Sequence, residues 1–242
     1  MKLKHLYFAV FAAALAVTVR AQDVEEVEEG AVGWTPVAVS LASPVQLPWG
    51  HARWDVFGLD LGLFYNGSPK VYGLDIAAAT VCTDDTIGLV VGPVFNYAAK
   101  DVYGARVSLF ANIGRANLYG VDFGGFGYHD KVCGADVELL GTMSQNLTGV
   151  GIGGIFNMAF EESCGCVVAV GVNLAEKAYG CQVAGVFNMT DELHGCQIGL
   201  VNYARECPWG FQIGLVNLIM DNKVKVLPFV NGYFQWQRLI HT

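Results

Sequence analysis

The sequence is poor in charge, and basic side chains are scarcer than acidic ones. Charged residues make up 15% of the 242 residues, and 22 Asp and Glu outnumber 14 Lys and Arg to give a net charge of −8. Because no basic field exists to attract phosphates, the sequence argues against a nucleic-acid partner. The 53% of apolar residues argues equally against a disordered chain.

Long apolar runs are missing after residue 21. No later stretch reaches the roughly 18 apolar residues of a membrane-spanning helix, so no helical membrane anchor is expected. Residues 1–21 hold a basic start, a 14-residue apolar run and the small residues Val19 and Ala21, which predict a secretory signal peptide. The sequence therefore predicts export to the extracellular space, the cell surface or the outer membrane of a bacterium.

Familiar catalytic motifs are missing too. Neither Gly-x-Ser-x-Gly nor His-Glu-x-x-His occurs. The histidines after the signal peptide share no position in the repeat described below; they are His51, His129, His194 and His241. We therefore expect no catalysis, no cofactor and no metal.

Glycine, in contrast, is abundant, and it marks a repeat. Eleven of the 30 glycines open a similar phrase at intervals of 14–16 residues across residues 56–218. Counted from that glycine as position 0, position +3 is always large and apolar, position +2 is mostly polar, and position +4 is small in every unit except the one with Glu138. The opening glycines are Gly58, Gly73, Gly88, Gly104, Gly120, Gly134, Gly149, Gly165, Gly180, Gly195 and Gly210.

Apolar side chains at +1 and +3 flank polar ones at +2, which is the period of a β-strand. Such an all-β chain can stack its strands in parallel, as a β-solenoid of about eleven 15-residue coils, or antiparallel, as an up-and-down outer-membrane β-barrel. Barrel strands alternate short turns with long loops, whereas the spacing here is uniform, so the solenoid is favoured and the barrel is the alternative. We expect +1 and +3 to fill the core, and +2 with the turns to form an outer binding face.

The segments around the repeat differ from it in composition. Residues 22–33 are an acidic leader, expected to be flexible. Residues 34–55 are expected to form an amino-terminal cap, and residues 219–242 a carboxyl-terminal cap strand and tail. Caps are expected because the open ends of a solenoid would pair with other strands, and both segments carry prolines that suit edge positions.

Three kinds of side chain recur at fixed positions, so in parallel coils each kind stacks on itself. Amides are expected to bond from coil to coil as a structural ladder. Thiols are expected either to fill space or to lie within disulfide range, and carboxylates to form a weak candidate for a Ca²⁺-binding acidic face. The amides are Asn157, Asn173, Asn188, Asn202, Asn217, Gln182, Gln197 and Gln212; the thiols are Cys166, Cys181 and Cys196; the carboxylates are Asp60, Asp75, Asp122 and Asp136.

The phrases "GCQIGLVN" (195–202), "GFQIGLVN" (210–217) and "LPFVNGYF" (227–234) resemble a bacterial surface-repeat family first described in leptospiral surface proteins. The resemblance implies a secreted or surface location and no established catalysis. We therefore expect an exported, non-enzymatic structural or interaction protein of unknown ligand, with partners among cell-surface or envelope components. The alternatives are an outer-membrane barrel and a carbohydrate-active enzyme on a solenoid, for which Asp122 and Asp136 would supply the carboxylate pair.

Overall fold

The computed structural model describes residues 31–42, 45–49 and 53–234. The predicted signal peptide, most of the acidic leader and the last eight residues lie outside this part of the chain. Internal contacts divide the chain into two units, residues 1–30 and 31–242, and the second unit holds all the structure described below. Among the described residues, no helix has the length and apolarity needed to cross a membrane.

Among the described residues, fifteen strands make up a single sheet, which winds around a narrow interior. The strands are β1 (Gly33–Ala42), β2 (Val45–Leu47), β3 (Trp54–Ser68), β4 (Val71–Ile76), β5 (Ala79–Cys82), β6 (Thr86–Val91), β7 (Phe95–Ala98), β8 (Val102–Val107), β9 (Ala111–Gly114), β10 (Asn117–Gly153), β11 (Phe156–Ala169), β12 (Val172–Ala184), β13 (Phe187–Ile198), β14 (Val201–Ile219) and β15 (Val226–Phe234). The longest strands continue from one coil into the next.

The repeat units stack in parallel and in register. Gly58 lies opposite Gly73, and Gly195 lies opposite Gly210. In the described chain, every pairing among β3 to β14 is parallel. The predicted parallel β-solenoid of about eleven coils is therefore confirmed, and the antiparallel arrangement of the alternative is not found. At about 4.8 Å per coil, the stack is about 50 Å long.

Each coil consists of two strands that face each other across the interior. The first runs from position −2 to +3, as in β6, and the second surrounds the Asn that closes the unit, as in β7. Gln212 Nε2, on a first strand, donates to the carbonyl oxygen of Leu218, on the second strand of the same coil, at 3.1 Å. The two turns of each coil therefore lie at opposite edges of the stack.

The opening glycine forms an arch in the first strand. Ten of the eleven have φ between 124° and 153°, a conformation that residues with a Cβ rarely adopt. A Cβ on Gly180 would lie 2.2 Å from the carbonyl oxygen of Gly165 in the preceding coil. Because of this arch, positions −1, 0 and +1 all face outward, and only −2 and +2 face the interior.

The side chains that fill the interior are therefore not those predicted from the sequence. The prediction that +1 and +3 fill the core is wrong, because the arch turns them outward and turns +2 inward. The core contains aliphatic side chains at −2, among them Val56, Val71, Leu118 and Leu193, which are at most 1% exposed. The small residues at +4 let the two strands approach each other.

Both ends of the stack are covered by strands from outside the eleven coils. At the amino-terminal end, β1 pairs in parallel with β3, and β2 folds back antiparallel onto β1. At the carboxyl-terminal end, β15 pairs antiparallel with β14. These strands come from the two segments predicted to be caps, 34–55 and 219–242, apart from Gly33.

Candidate functional site: an apolar outer surface around a polar interior

A column of asparagine amides runs through the interior. Each Nδ2 donates to the Oδ1 of the next Asn and also to a backbone carbonyl of the opposing strand, which satisfies both of its N–H groups. The four links of the ladder from Asn157 to Asn217 measure 2.8–3.0 Å. In the backbone bonds, Asn157, Asn173, Asn188 and Asn202 donate to Val168, Val183, Ile198 and Ile213 at 2.8–2.9 Å.

A second column is formed by the glutamines at +2. Gln212 donates to Gln197, and Gln197 to Gln182, each at 2.8 Å. Position +2 is at most 3% exposed wherever it is polar. The predicted outer binding face at +2 is therefore wrong, because these side chains bond to one another inside the coils and are out of reach of a partner.

The carboxylates Asp60 and Asp75 also point inward and form no acidic face. Ser68 Oγ donates to Asp60 and Asn66 Nδ2 to Asp75, both at 2.7 Å. Burial raises the pKa of Asp75 to about 7, so its acid form is favoured inside the stack. Within the described residues, no three His, Cys, Asp or Glu side chains are placed to hold a metal ion.

In the middle of the stack, the interior contains a charged cluster instead of amides. Arg106 Nε donates to the two carboxylate oxygens of Asp122 at 3.1 and 3.2 Å, and His129 Nε2 lies 2.9 Å from Asp122 Oδ2. Burial alone would raise the pKa of Asp122, but the Arg106 charge and the His129 contact outweigh it and lower that pKa to about 2. Asp122 is therefore a buried carboxylate held by a buried cation.

Asp136 and Glu138 continue the cluster in the next coil. Asn112 Nδ2 donates to Glu138 Oε1 at 3.1 Å, and the side chains of Asp136 and Glu138 are hydrogen-bond partners of each other. Burial raises the pKa of Glu138 to about 7 and that of Asp136 well above its usual range. Both carboxyl groups therefore tend to hold a proton. Asp122 and Asp136 are fully buried, so neither can contact a polysaccharide chain, and the enzyme alternative gains no support from them.

The raised pKa of Glu138 predicts that the fold weakens as pH rises. The folded pKa, about 7, exceeds the ordinary 4.5, so the native state keeps its proton where the unfolded chain has lost it. We expect the free energy of unfolding to fall by on the order of 2 kcal/mol between pH about 4.5 and about 7 because of this group. Glu138→Gln should flatten that decline in denaturant titrations.

The exposed Glu161 provides the matched control for this titration. Glu161→Gln should leave the pH dependence of the parent protein unchanged, since its side chain is in contact with water. Asp75 titrates in the same direction and is intact in both variants, so some decline should remain. An unchanged slope in Glu138→Gln would show that Glu138 is already ionised in the folded protein.

The three cysteines at +1 stack on successive coils of the outer surface. Cys166 lies opposite Cys181, and Cys181 opposite Cys196. All three are reduced and only half-buried, so the expected buried stack is wrong, because +1 faces outward. The sulfurs of Cys181 and Cys196 are 2.8 Å apart, and burial raises the pKa of Cys181 to about 12. A disulfide within this column stays a prediction.

The outward surface of the first strands is uncharged along the whole stack. We call positions −1, +1 and +3 of the eleven units the outer columns; none of their residues is Asp, Glu, Lys or Arg. Many large apolar side chains are 37–48% exposed in these columns. They are Ile76, Leu89, Val107, Phe123, Val150, Ile152, Ile198, Phe211 and Ile213. An apolar area this continuous is unusual on a protein surface that faces only water.

Position −1 is mostly aromatic, and several of its rings stack from coil to coil. The ring centroids of Phe57 and Tyr72 are 4.6 Å apart, and those of Tyr179 and His194 are 4.8 Å apart. Tyr103 and Tyr119 stack in the same way. The aromatic members of this column are Phe57, Tyr72, Tyr103, Tyr119, Tyr179, His194 and Trp209.

The two edges of the stack differ in chemistry. We call the turns that precede each first strand the charged edge, because between Lys70 and Asp221 the charged side chains that do not face the interior all lie there. Ion pairs link some neighbouring coils, for example Lys100 with Asp84 at 2.9 Å and Lys177 with Glu162 at 3.6 Å.

The opposite turns, at positions +5 and +6, form what we call the apolar edge. None of these positions is charged. Its most exposed side chains, at 60–74%, are Leu63, Phe64, Leu109, Phe110, Leu139, Val170 and Leu215. Water therefore contacts large aliphatic and aromatic groups along most of this edge.

The fold and its internal amide columns define the chain as a parallel β-solenoid whose amides face the interior and whose outer columns and apolar edge expose apolar side chains. Comparisons with models of protein families, with curated proteins and with solved structures found no match.

Proposed function

We propose that this protein is an exported, non-enzymatic structural and interaction module of a bacterial surface, and that the outer columns are its binding surface. The basic, apolar and small-residue segments of residues 1–21 support export. The observation that carries the proposal is the exposure of the outer columns. Their large apolar side chains are only half covered.

The inward position of the polar side chains leaves the outer surface free to bind a partner through apolar contacts. The amide and carboxyl side chains of the repeat satisfy one another within the coils, so the exterior needs no polar side chains to solvate them. Apolar and aromatic groups then form a continuous contact surface, which is the composition of the buried core of protein interfaces.

The test is sedimentation of the purified full chain with isolated bacterial envelope fragments. We expect Ile76→Glu, Phe123→Glu and Ile198→Glu together to lower the bound fraction at least tenfold, because each places a charge in the contact surface. The three sites lie on separate coils, so the new charges do not oppose one another.

The control carries three exchanges at the charged edge, Arg115→Glu, Asn146→Glu and Lys177→Glu. These side chains already lie among charges in water, so at high salt, which screens repulsion from anionic envelope components, binding should stay within twofold of the parent protein. Equal binding by the outer-column variant, with its fold intact by circular dichroism, would refute the proposal.

A further inference from the structure

We propose that the partner is a lipid bilayer, and that the stack inserts its apolar edge into one leaflet while its charged edge stays in water. This inference rests on the proposed function and names its partner. It follows from the separation of the two edges: charged side chains occupy one and large apolar side chains the other. A protein that lies in a membrane surface needs that same separation along the membrane normal, with apolar side chains toward the hydrocarbon and charged side chains toward water.

The side chains between the two edges change in the order that a membrane interface requires. The aromatic column at −1 lies next to the charged edge, and the aliphatic columns at +1 and +3 lie between it and the apolar edge. Tyr, Trp and His have apolar rings with polar tips and favour the headgroup level. The aromatic column contains residues of these types, which are Tyr103, Tyr119, Tyr179, His194 and Trp209.

The depth of the apolar surface fits one leaflet. From the glycine arch to the apolar edge there are about five residues at about 3.3 Å each, or about 16 Å in total, against about 15 Å for half of a 30 Å hydrocarbon core. The stack would then lie with its long axis parallel to the membrane.

The backbone meets the main requirement for contact with lipid. Backbone N–H and C=O groups in hydrocarbon need partners within the protein. In the eleven coils, the parallel ladders pair them from coil to coil, and the turns at the apolar edge are bonded as well, for example Val186 N to Gly171 O at 3.0 Å and Val201 N to Val186 O at 3.0 Å. The second strands also present no charged side chain outward.

A second copy of the chain fits these observations less well than lipid does. Two stacks that pair through their outer columns would cover one face and leave the apolar edge in water. Hydrocarbon surrounds the edge and both flanking faces at once, and so removes the exposed groups at Leu139 and Val170 from water.

The acidic charged edge adds a prediction about lipid charge. Acidic side chains outnumber basic ones along this edge, so anionic headgroups should repel it while zwitterionic headgroups do not. Binding should therefore be stronger to phosphatidylcholine vesicles than to phosphatidylglycerol vesicles at low salt, and the difference should shrink at high salt.

The experiment is flotation of the full chain with phosphatidylcholine vesicles on a density gradient. The parent protein should float, and the variant Leu109→Glu, Leu139→Glu, Val170→Glu should show an at least tenfold lower partition coefficient. The charged-edge variant with Arg115→Glu, Asn146→Glu and Lys177→Glu should float like the parent. Thermal unfolding of each variant in lipid-free buffer separates lost binding from lost folding.

Several outcomes would overturn the proposal. One is equal flotation of the apolar-edge variant and the parent; another is stronger binding to anionic vesicles at low salt. A third is a parent protein that stays unbound to vesicles but sediments as a dimer that the apolar-edge variant abolishes, which would assign the edge to a second copy. If the parent protein does not bind vesicles but binds envelope fragments through the outer columns, the proposed function stands and only its lipid partner is wrong.

Discussion

Asn188→Asp is expected to lower the free energy of unfolding by about 4 kcal/mol or more. In the native chain, Asn188 Nδ2 donates to Ile198 O at 2.9 Å and to Asn202 Oδ1 at 2.8 Å. A carboxylate of the same shape has no proton for either acceptor and adds a negative charge inside the stack. Urea titration with a spectroscopic readout measures the loss.

Asn146 is the matched control for this exchange. Its Nδ2 contacts Glu161 at 3.1 Å on the surface, where water replaces a lost partner, so Asn146→Asp should cost less than about 1 kcal/mol. Equal losses at the two positions would show that the Asn188 amide is hydrated and that the interior ladder does not exist as described. Lowering the pH should partly restore Asn188→Asp, because a protonated carboxyl regains one donor.

Gly180→Ala should destabilise the fold by about 3 kcal/mol or more, although it adds a single methyl group. The new Cβ would lie 2.2 Å from the carbonyl oxygen of Gly165, and φ at this position is +124°. That oxygen belongs to the backbone of a hydrogen-bonded coil, so it cannot move without displacing the neighbouring strand. Thermal unfolding followed by circular dichroism measures the resulting fall in melting temperature.

Gly67 offers the comparison for this exchange. There a Cβ would meet only the Tyr65 side chain at 3.1 Å, and φ lies outside the positive region, so Gly67→Ala should change stability by less than about 1 kcal/mol. Similar melting temperatures for the two alanine variants would contradict the arch.

The stacking of the coils could be predicted from sequence, but the face that each side chain presents could not. Equal spacing of Gly58 to Gly210 determines which residues meet in neighbouring coils, because a parallel in-register stack follows directly from an uninterrupted repeat. The orientation depends on the φ of the opening glycine, which the residue type permits but does not reveal. Assigning apolar groups to the core then led to the wrong choice at +1 and +3.

The charged cluster was partly visible in the sequence. Arg106, Asp122 and Asp136 share position +2 in three consecutive units, so parallel stacking brings them together. Glu138 breaks the rule of small residues at +4, and the unit opened by Gly120 lacks the usual Asn; both exceptions mark the place where charges replace amides. His129 had no such signal, since its contact with Asp122 requires the inward orientation that only the structure provides.

In each coil the mostly aliphatic −2 column and the mostly polar +2 column face inward, whereas the apolar +1 and +3 columns face outward. Hydroxyl-radical footprinting of the native, lipid-free protein, read by mass spectrometry, tests this arrangement without any substitution. We predict rapid oxidation of Ile152, Ile198 and Ile213, and protection of Leu118 and Leu193 until denaturant unfolds the chain. Protection of the three isoleucines in the folded protein, with oxidation of the two leucines, would contradict the account.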